Sequence, residues 1–176
     1  MKGHVTMGFF SHLMGGSDKQ TTAASEFEIL APVSGELVNL EKTNDPAFSS
    51  RAVGDGVAVV PQEGTVCAPV SGTVAALFPT EHALGIMSDD SSAQVMLHIG
   101  IDTVKLEGKG FHALVAQGDH VDAGQPLVEV DFDAVRAAGF DPTVFVIVCE
   151  RSENSTLREH ASGPVAVKEP VVWLSE

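Results

Sequence analysis

Residues 95–104 alternate between two faces in the manner of a β-strand, and one of the two faces carries a histidine. The apolar face consists of Val95, Leu97, Ile99 and Ile101. The opposite face consists of Met96, His98 and Gly100. We therefore predict an imidazole among apolar neighbours, with open space beside it because glycine has no side chain. This suits a nucleophile that a bulky partner must reach; the alternative is a core histidine satisfied by a backbone carbonyl.

The rest of the chain favours many short strands. From residue 25 onward, Gly, Pro and Asp interrupt it roughly every 6–12 residues. Between these interruptions lie runs rich in β-branched residues, such as 56–60, 126–130 and 144–148. One helix is predicted over 131–139, where an acidic start and an alanine-rich interior end in glycine. The pattern predicts an all-β fold, a β-sandwich or barrel with one or two short helices.

A repeat indicates how these strands are organised. The pentapeptide Ala-Pro-Val-Ser-Gly occurs at 31–35 and again at 68–72, each time before an apolar strand. A second, weaker echo relates residues 53–57 to residues 117–121. We predict an internal duplication in which two related halves interlock their strands in one pseudo-symmetric sandwich.

Length, charge and composition narrow the classes of function. With 176 residues, the chain suits a flexible N-terminal tail or linker over 1–24 and one domain over 25–176. A formal net charge of −14 without a basic cluster argues against a nucleic-acid partner. The two cysteines, Cys67 and Cys149, show no CxxC spacing and fit reduced thiols. With no apolar run long enough to span a membrane, we expect a cytoplasmic protein.

A second histidine precedes His98 by one predicted hairpin. His82 lies in the segment 78–86, which a turn at 88–92 connects to the strand of His98. A hairpin of this kind can place two imidazoles side by side on neighbouring strands. Thr80 is close enough in sequence to hydrogen-bond His82 and fix its tautomer.

These segments carry a resemblance to a known family. Most of the chain, from about residue 29 to the end, is similar to the glucose-type enzyme IIA of the bacterial phosphoenolpyruvate-dependent sugar phosphotransferase system. The resemblance is carried by residues 53–56, 68–73, 80–83, 98–104 and 108–111, and by Gly118, Val121 and Gly124. The family fold is an antiparallel β-sandwich, in agreement with the repeat, so residues 25–176 would form one enzyme IIA domain.

The resemblance implies a phosphocarrier. His98 would be the phosphoryl acceptor, phosphorylated on its tele nitrogen by the phosphohistidine of HPr, and it would pass the group to a cysteine of enzyme IIB. His82 would contact the phosphoryl oxygens without being phosphorylated, and the Thr80 hydroxyl would support the histidine pair. No cofactor is implied. A zinc ion at His82 and His98 would be adventitious or regulatory.

The same resemblance implies a docking face for HPr and enzyme IIB. We expect an apolar rim that excludes water and an acidic edge that meets basic partner residues. The rim would consist of Phe48, Val53, Phe78, Leu84 and Met96, and the edge of Asp45 and Asp102. Leu84 and Met96 depart from the bulkier aromatic residues expected in the family, so the rim contacts would differ in detail.

Other functions stay open at this point. A zinc-dependent peptidoglycan endopeptidase of the interlocked-hairpin fold also has duplicated β-structure and paired histidines, but it needs an HxH pair, which this chain lacks. Residues 118–127 resemble a lipoyl- or biotinyl-type carrier domain. Such domains present a lysine in a tight hairpin, and this segment has no such lysine. The resemblance also admits regulatory protein partners for the unphosphorylated form. Glucose is the default sugar, and N-acetylglucosamine, maltose-type and β-glucoside systems stay open as alternatives. A place in a longer fused chain also stays open.

Overall fold

The fold is described by a computed structural model, which covers residues 26–62 and 64–176. The expected tail over 1–24 lies outside the described residues. In chain order the strands are β1 (Phe27–Leu30), β2 (Gly35–Asn39), β3 (Asp55–Pro61), β4 (Thr65–Cys67), β5 (Gly72–Leu77), β6 (Ala83–Ser88), β7 (Ala93–Ile99), β8 (Phe111–Ala113), β9 (His120–Val121), β10 (Pro126–Val130), β11 (Val144–Arg151), β12 (Thr156–Glu159), β13 (Gly163–Val165) and β14 (Pro170–Ser175). The helices are α1 (Pro46–Ser49), α2 (Phe132–Ala137) and the 3-10 turns Leu40–Lys42 and Thr103–Leu106.

The strands form three antiparallel sheets. The largest has eight strands in the order β13-β2-β3-β11-β7-β6-β5-β9. Two three-stranded sheets, β1-β14-β12 and β4-β10-β8, complete the described fold. The main core draws buried residues from all three sheets, for example Ile29, Val128 and Leu97. The predicted antiparallel β-sandwich with short helices is confirmed.

The strand orders reveal the duplication predicted from the repeat. One half consists of β1–β3 with β11–β14, and the other, β4–β10, is contiguous and lies between β3 and β11 in sequence. Each half contributes four strands to the large sheet and one complete small sheet. The halves meet at β7 and β11, where Leu97 pairs with Val146.

The two copies of the pentapeptide make matching hydrogen bonds. The Leu30 amide donates to the Pro69 carbonyl at 2.8 Å, and the Cys67 amide donates to the Pro32 carbonyl at 2.8 Å. The Oγ atoms of the two repeated serines also have equivalent roles. Ser34 accepts from the amide of Val167 at 2.9 Å, and Ser71 accepts from the amide of Ala123 at 2.8 Å. The repeat therefore marks structurally equivalent turns.

The glycine that ends each pentapeptide is required by close backbone packing. A Cβ on Gly35 would come 2.0 Å from the Val60 carbonyl oxygen, and one on Gly72 would come 2.0 Å from the Met87 carbonyl oxygen. Such distances leave no room for a side chain where β2 meets β3 and where β5 meets β6.

The second sequence echo does not relate equivalent positions. Residues 53–57 lead into β3, which lies between β2 and β11, whereas residues 117–121 lead into β9 at the edge of the sheet. The counterpart of β9 is β13, because Val121 pairs with Gly72 as Val165 pairs with Gly35. The similarity reflects only the Gly-Asp pair that both segments contain. The prediction that these two segments are duplicated copies was wrong.

The helix predicted over 131–139 forms as α2. The Asp131 carboxylate caps it by accepting from the Ala134 amide at 2.9 Å, and Gly139 follows it with φ of 88°.

Among the described residues, no helix is long and apolar enough to cross a membrane.

Candidate functional site

His98 lies near the end of β7, on the face of the large sheet opposite the main core. The side chains of β7 alternate between buried and half-buried, as the sequence pattern predicts, and His98 is half-buried. Its ring nitrogen Nδ1 lies 2.8 Å from the carbonyl oxygen of Gly100. Because a carbonyl only accepts, Nδ1 carries the proton and donates it. The neutral ring then has its lone pair on Nε2, which makes Nε2 the nucleophile.

The backbone after β7 is shaped so that this carbonyl faces the ring. Gly100 has φ of 80°, a conformation that glycine adopts without cost. A Cβ at this position would come 2.3 Å from Cγ2 of Thr103, so the expected open space beside His98 is occupied. Thr103, which is fully buried, donates its hydroxyl to the Ile99 carbonyl. Gly100 therefore serves the backbone turn rather than access to the imidazole.

His82 stands beside His98, just before β6 begins. Ala83 pairs with His98, and the Ile99 amide donates to the His82 carbonyl at 2.7 Å. The two ring centroids are 5.1 Å apart and the rings are nearly perpendicular, at 85°. The predicted hairpin of β6 and β7 thus brings the two imidazoles together.

Thr80 contacts His82 as the spacing predicts. Its Oγ1 lies 2.6 Å from Nδ1 of His82. A hydroxyl that donates to Nδ1 leaves the proton of the neutral ring on Nε2. In that state His82 offers an N–H group to an anion, while His98 offers a lone pair.

Both imidazoles favour the neutral form. Burial lowers the pKa of His98 below its ordinary value near 6.5, and the hydrogen bond to Gly100 and the charges of Asp45 and Asp102 oppose this effect. Burial also lowers the pKa of His82, and the neighbouring His98 ring lowers it further. At neutral pH both rings are therefore uncharged.

Aromatic side chains surround the pair. Phe48 of α1 has its ring centroid 5.1 Å from that of His98, and it stacks on Phe145 of β11 at 4.2 Å. Phe78 lies on the other side, with its centroid 5.6 Å from that of His82. Phe78 is 49% exposed, whereas Phe48 is only 5% exposed. Phe48 thus forms a wall beside His98, and Phe78 is free to meet a partner.

The structure corrects the expected rim at Phe48, which is only 5% exposed, and at Leu84. Leu84 is fully buried in the main core, because it pairs with Leu97 on the inner face of the sheet. It is therefore unavailable to a docking partner. Met96 is half-buried and packs against the cluster of Phe48, Phe145 and neighbouring apolar residues, on the same face as His98. Val53 is 38% exposed.

The two acidic residues lie near His98 and have structural roles as well. Asp45 caps α1, accepting from the Ala47 amide at 2.8 Å, and this helix carries Phe48. Asp102 has φ of 61° and lies 3.5 Å from the ammonium of Lys105. The side chain of Asp102 is 63% exposed, so its carboxylate is accessible to a basic partner.

The site does not provide a complete metal centre. Within residues 26–62 and 64–176, no group of three or more His, Cys, Asp or Glu could hold a metal ion. The two histidines alone are fewer than the three protein ligands of a catalytic zinc ion. The zinc endopeptidase alternative is therefore not supported.

The sequence did not indicate the residues on and before β11 that fix the turn after His98 and pack near its ring. The Gly100 amide donates to the Thr143 carbonyl at 2.8 Å, and the Ile101 amide donates to the Asp141 carbonyl at 2.9 Å. Phe145, opposite His98 in β11, supplies the ring beneath Phe48. About forty residues separate these groups from His98, and only strand pairing brings them to it.

Comparison with known proteins agrees with this geometry. Residues 27–154 match the family described as phosphoenolpyruvate-dependent sugar phosphotransferase system, EIIA 1. The chain is 42% identical over 144 residues to the glucose-specific EIICBA component of the phosphotransferase system of Streptococcus pneumoniae, covering 82% of this chain and 20% of that protein. It is 39% identical over 170 residues to the beta-glucoside-specific EIIBCA component of Bacillus subtilis, covering 96% of this chain and 28% of that protein. The chain thus spans about a fifth to somewhat over a quarter of these relatives' length.

A solved structure shares the fold. The glucose permease IIA from Mycoplasma capricolum superposes with a TM-score of 0.78 at 34% sequence identity, covering 85% of this chain and 96% of that one. The family model alone spans well over half of the chain, and it includes both histidines and Thr80. The chain belongs to the EIIA 1 family of the phosphoenolpyruvate-dependent sugar phosphotransferase system, whose components transfer phosphoryl groups.

Proposed function

We propose that His98 is the phosphoryl acceptor of this EIIA domain, taking the group from the phosphohistidine of HPr and passing it to a cysteine of enzyme IIB. The observation that carries this proposal is the hydrogen bond from His98 Nδ1 to the Gly100 carbonyl, at 2.8 Å. It leaves the lone pair on Nε2, the tele nitrogen, in a ring whose pKa is lowered by burial.

Each transfer exchanges one bond to phosphorus for another. In the first, the Nε2 lone pair of His98 attacks phosphorus, and the P–N bond to the HPr histidine breaks with its electron pair returning to that nitrogen. In the second, the thiolate of enzyme IIB attacks, and Nε2 recovers its lone pair. Little other covalent work is needed, so catalysis consists mainly of in-line positioning and of stabilising charge on three equatorial oxygens.

His82 supplies that stabilisation in our proposal. With Thr80 donating to Nδ1 at 2.6 Å, the Nε2–H group of His82 is available to a phosphoryl oxygen. The contact strengthens as charge develops in the transition state. The nearby rings of Phe48 and Phe78 limit access of water and so slow hydrolysis of the phosphohistidine.

The partners would dock on the face that surrounds the histidines. Phe78, Val53 and the accessible part of Met96 form its apolar part, and Asp45 and Asp102 provide acidic groups for basic side chains of HPr and enzyme IIB. Leu84 takes no part. The relatives named above join EIIA to EIIB and EIIC in one chain, so we infer an enzyme IIB partner on the cytoplasmic side of a permease.

We propose that the transfer requires no resident cofactor. A zinc ion on His82 and His98 would need further ligands, because zinc in proteins is normally four-coordinate. A carboxylate of a bound partner could supply one of them. Zinc at this site would therefore be adventitious or regulatory rather than part of phosphoryl transfer.

The experiment is incubation with phosphoenolpyruvate, enzyme I and HPr, followed by intact mass measurement and an acid-stability check. We expect a gain of one phosphate that is lost in acid and is absent from His98→Gln. Retained labelling of His98→Gln would reject the site. The matched variant His82→Gln should still be phosphorylated but should pass the group to enzyme IIB more slowly, by on the order of a hundredfold for loss of one stabilising donor.

A further inference from the structure

The carbonyl that orients His98 belongs to a short backbone segment held by the residues that precede the neighbouring strand β11. The Gly100 amide donates to the Thr143 carbonyl at 2.8 Å, and the Ile101 amide donates to the Asp141 carbonyl at 2.9 Å. Residues 141–143 thus continue the pairing of β11 with β7 beyond the last residue of β7. The position of the Gly100 carbonyl depends on the position of this segment.

A single carboxylate shapes residues 141–143. Oδ1 of Asp141 accepts from the Thr143 amide at 2.9 Å and from the Thr143 hydroxyl at 2.5 Å. Both donors lie two residues further along the chain, so the carboxylate closes a local turn. Asp141 is half-buried and Thr143 is 5% exposed, which limits competition from water. Hydrogen bonds to an ionised acceptor are about twice as strong as those between neutral groups.

The other oxygen of the same carboxylate reaches the segment that covers His98. Asn44 donates its side-chain amide to Oδ2 of Asp141 at 3.4 Å. Asn44 directly precedes Asp45, the cap of the helix that carries Phe48. Asp141 therefore connects two structures that contact His98: the turn that accepts its proton and the helix that packs against its ring.

We propose that Asp141 is a positioning residue for phosphoryl transfer, which acts through Thr143 and Gly100 to keep the proton of His98 on Nδ1 and the lone pair on Nε2. This proposal rests on the proposed function of His98. Without the carboxylate, the 141–143 turn loosens and the Gly100 carbonyl moves relative to the ring. His98 then populates the other neutral tautomer, in which Nε2 carries the proton and cannot attack phosphorus.

The chain offers a matched control for removing such a carboxylate. Asp90, in the turn between β6 and β7, also accepts from the amide and hydroxyl two residues ahead, at 2.9 Å and 2.7 Å from Ser92. It lies at the opposite end of β7 from His98. Asp90→Ala removes the same kinds of hydrogen bond as Asp141→Ala without touching the turn at Gly100.

The test measures the tautomer directly. Histidine side chains labelled with ¹⁵N report by NMR which ring nitrogen of His98 is protonated, and the rate of phosphorylation by phospho-HPr is measured on the same folded samples. For Asp141→Ala we expect a mixture of tautomers and a rate lower by on the order of tenfold. For Asp90→Ala we expect an unchanged tautomer and rate. Asp141→Asn keeps a neutral acceptor for Thr143 and should restore part of both.

Several results would overturn the proposal. An unchanged tautomer and rate in Asp141→Ala would reject it, as would equal effects of Asp141→Ala and Asp90→Ala. If Asp141→Ala fails to fold, Asp141→Asn and Thr143→Val decide the matter by the same two measurements. If the unsubstituted protein is not phosphorylated, the proposed function fails. The tautomer measurement would still test whether Asp141 orients His98.

Discussion

The two halves of this protein share a backbone plan but only one of them carries the histidine pair. At the centre of the large sheet, His98 pairs with Phe145, and at the related position Ile147 pairs with Met96. Likewise, Ala83 pairs with His98 as Gly56 pairs with Ile147. The residue before Ala83 is His82, and the residue before Gly56 is Asp55. Duplication therefore supplied two equivalent positions, and side-chain identity made one of them a candidate for chemistry.

The halves also differ in what covers these positions. Residues 78–82 make a short connection from β5 to β6, whereas residues 40–54 make a long one from β2 to β3 that includes α1. Phe48 of α1 packs with Phe145 and Ile147 in a second apolar cluster, where Ile147 is fully buried. His98 lies at the border of this cover and stays half-buried. One inserted segment thus buries the position of Ile147 and also supplies the apolar wall of the histidine site.

The histidine site has two separate requirements, and the two halves of the protein meet them differently. A histidine at the right place in the strand is one requirement, and a backbone that orients and exposes it is the other. The turn at Gly100, with φ of 80°, provides the acceptor for His98. In the other half β11 continues to Arg151, with a shift in its register against β7 between Val148 and Glu150. In our proposal, the fold supports phosphoryl transfer only in the half where the strand ends in a turn that orients the histidine.

The largest expected effect comes from moving the histidine between the halves. In His98→Gln combined with Ile147→His, we expect no phosphate gain on incubation with phosphoenolpyruvate, enzyme I and HPr, because Phe48 covers the position and no matching turn supplies an acceptor. The buried polar ring should also lower the free energy of unfolding by roughly 2–4 kcal/mol. Intact mass and urea denaturation measure the two effects.

The control for this swap is His98→Gln alone. This variant should also gain no phosphate, but it keeps Ile147 and therefore avoids the loss of stability expected from Ile147→His. An acid-labile phosphate on the double variant would contradict the distinction between the halves. It would mean that strand position alone is enough for the chemistry.

The next prediction concerns stability alone, without loss of the phosphate acceptor, and compares the two phenylalanines that flank the histidines. Phe48→Ala should lower the free energy of unfolding by about 3–5 kcal/mol, because a 5% exposed ring that stacks on Phe145 leaves a cavity. Phe78→Ala should cost less than about 1 kcal/mol, since the ring is 49% exposed. Urea denaturation of both variants checks the contrast. Equal losses would show that Phe78 belongs to the core as much as Phe48 does.

The smallest effect is a decrease in the free energy of unfolding in acid, which we expect the two histidines to cause. Burial lowers the pKa of His98 and of His82 below about 6.5, so the unfolded chain binds more protons as the pH falls through that value. Stability is therefore full above pH 6.5 and decreases below it, until the folded-state pKa is reached. The loss is about 1.4 kcal/mol for each unit by which a pKa is lowered.

The measurement is the free energy of unfolding between about pH 7.5 and about pH 5.5, compared with that of a variant with both His82→Gln and His98→Gln. The variant should show a shallower decrease as the pH falls. A parallel decrease in both proteins would mean that other groups account for the acid sensitivity.

Nε2 of His98 should also stay unprotonated, and so accept phosphate, somewhat below pH 6.5.

Much of the fold was predictable because its signals are local. The alternation predicted over residues 95–104 identified the strand and the face of His98, and the repeated pentapeptide identified equivalent turns. The strand ends at Ile99, however, and Ile101 packs against the second apolar cluster rather than on the core face. Asp131 and Gly139 marked the ends of α2. Each of these features depends on a few consecutive residues, so the sequence displays it directly.

The errors arose where strand pairing, strand face or the path of the backbone decides the outcome. Leu84 was expected on the rim, but alternation along β6 turns it to the main core opposite Leu97. The echo at residues 53–57 and 117–121 looked like duplication, but strand pairing places the two segments at unrelated positions. The space beside Gly100 was expected to be open, and the Thr103 side chain fills it.

The sequence by itself determined the strands, the duplicated turns and the pair His82 and His98, because periodicity and turn chemistry act over a few residues. Only the tertiary structure decided that Gly100 accepts the proton of His98, that Ile147 is buried in the cluster of Phe48, and that Asp141 reaches the turn at Gly100. These contacts join residues forty or more positions apart, except at Gly100, where they depend on backbone dihedral angles. Their geometry follows from strand pairing and packing of the whole sandwich, which local pattern does not specify.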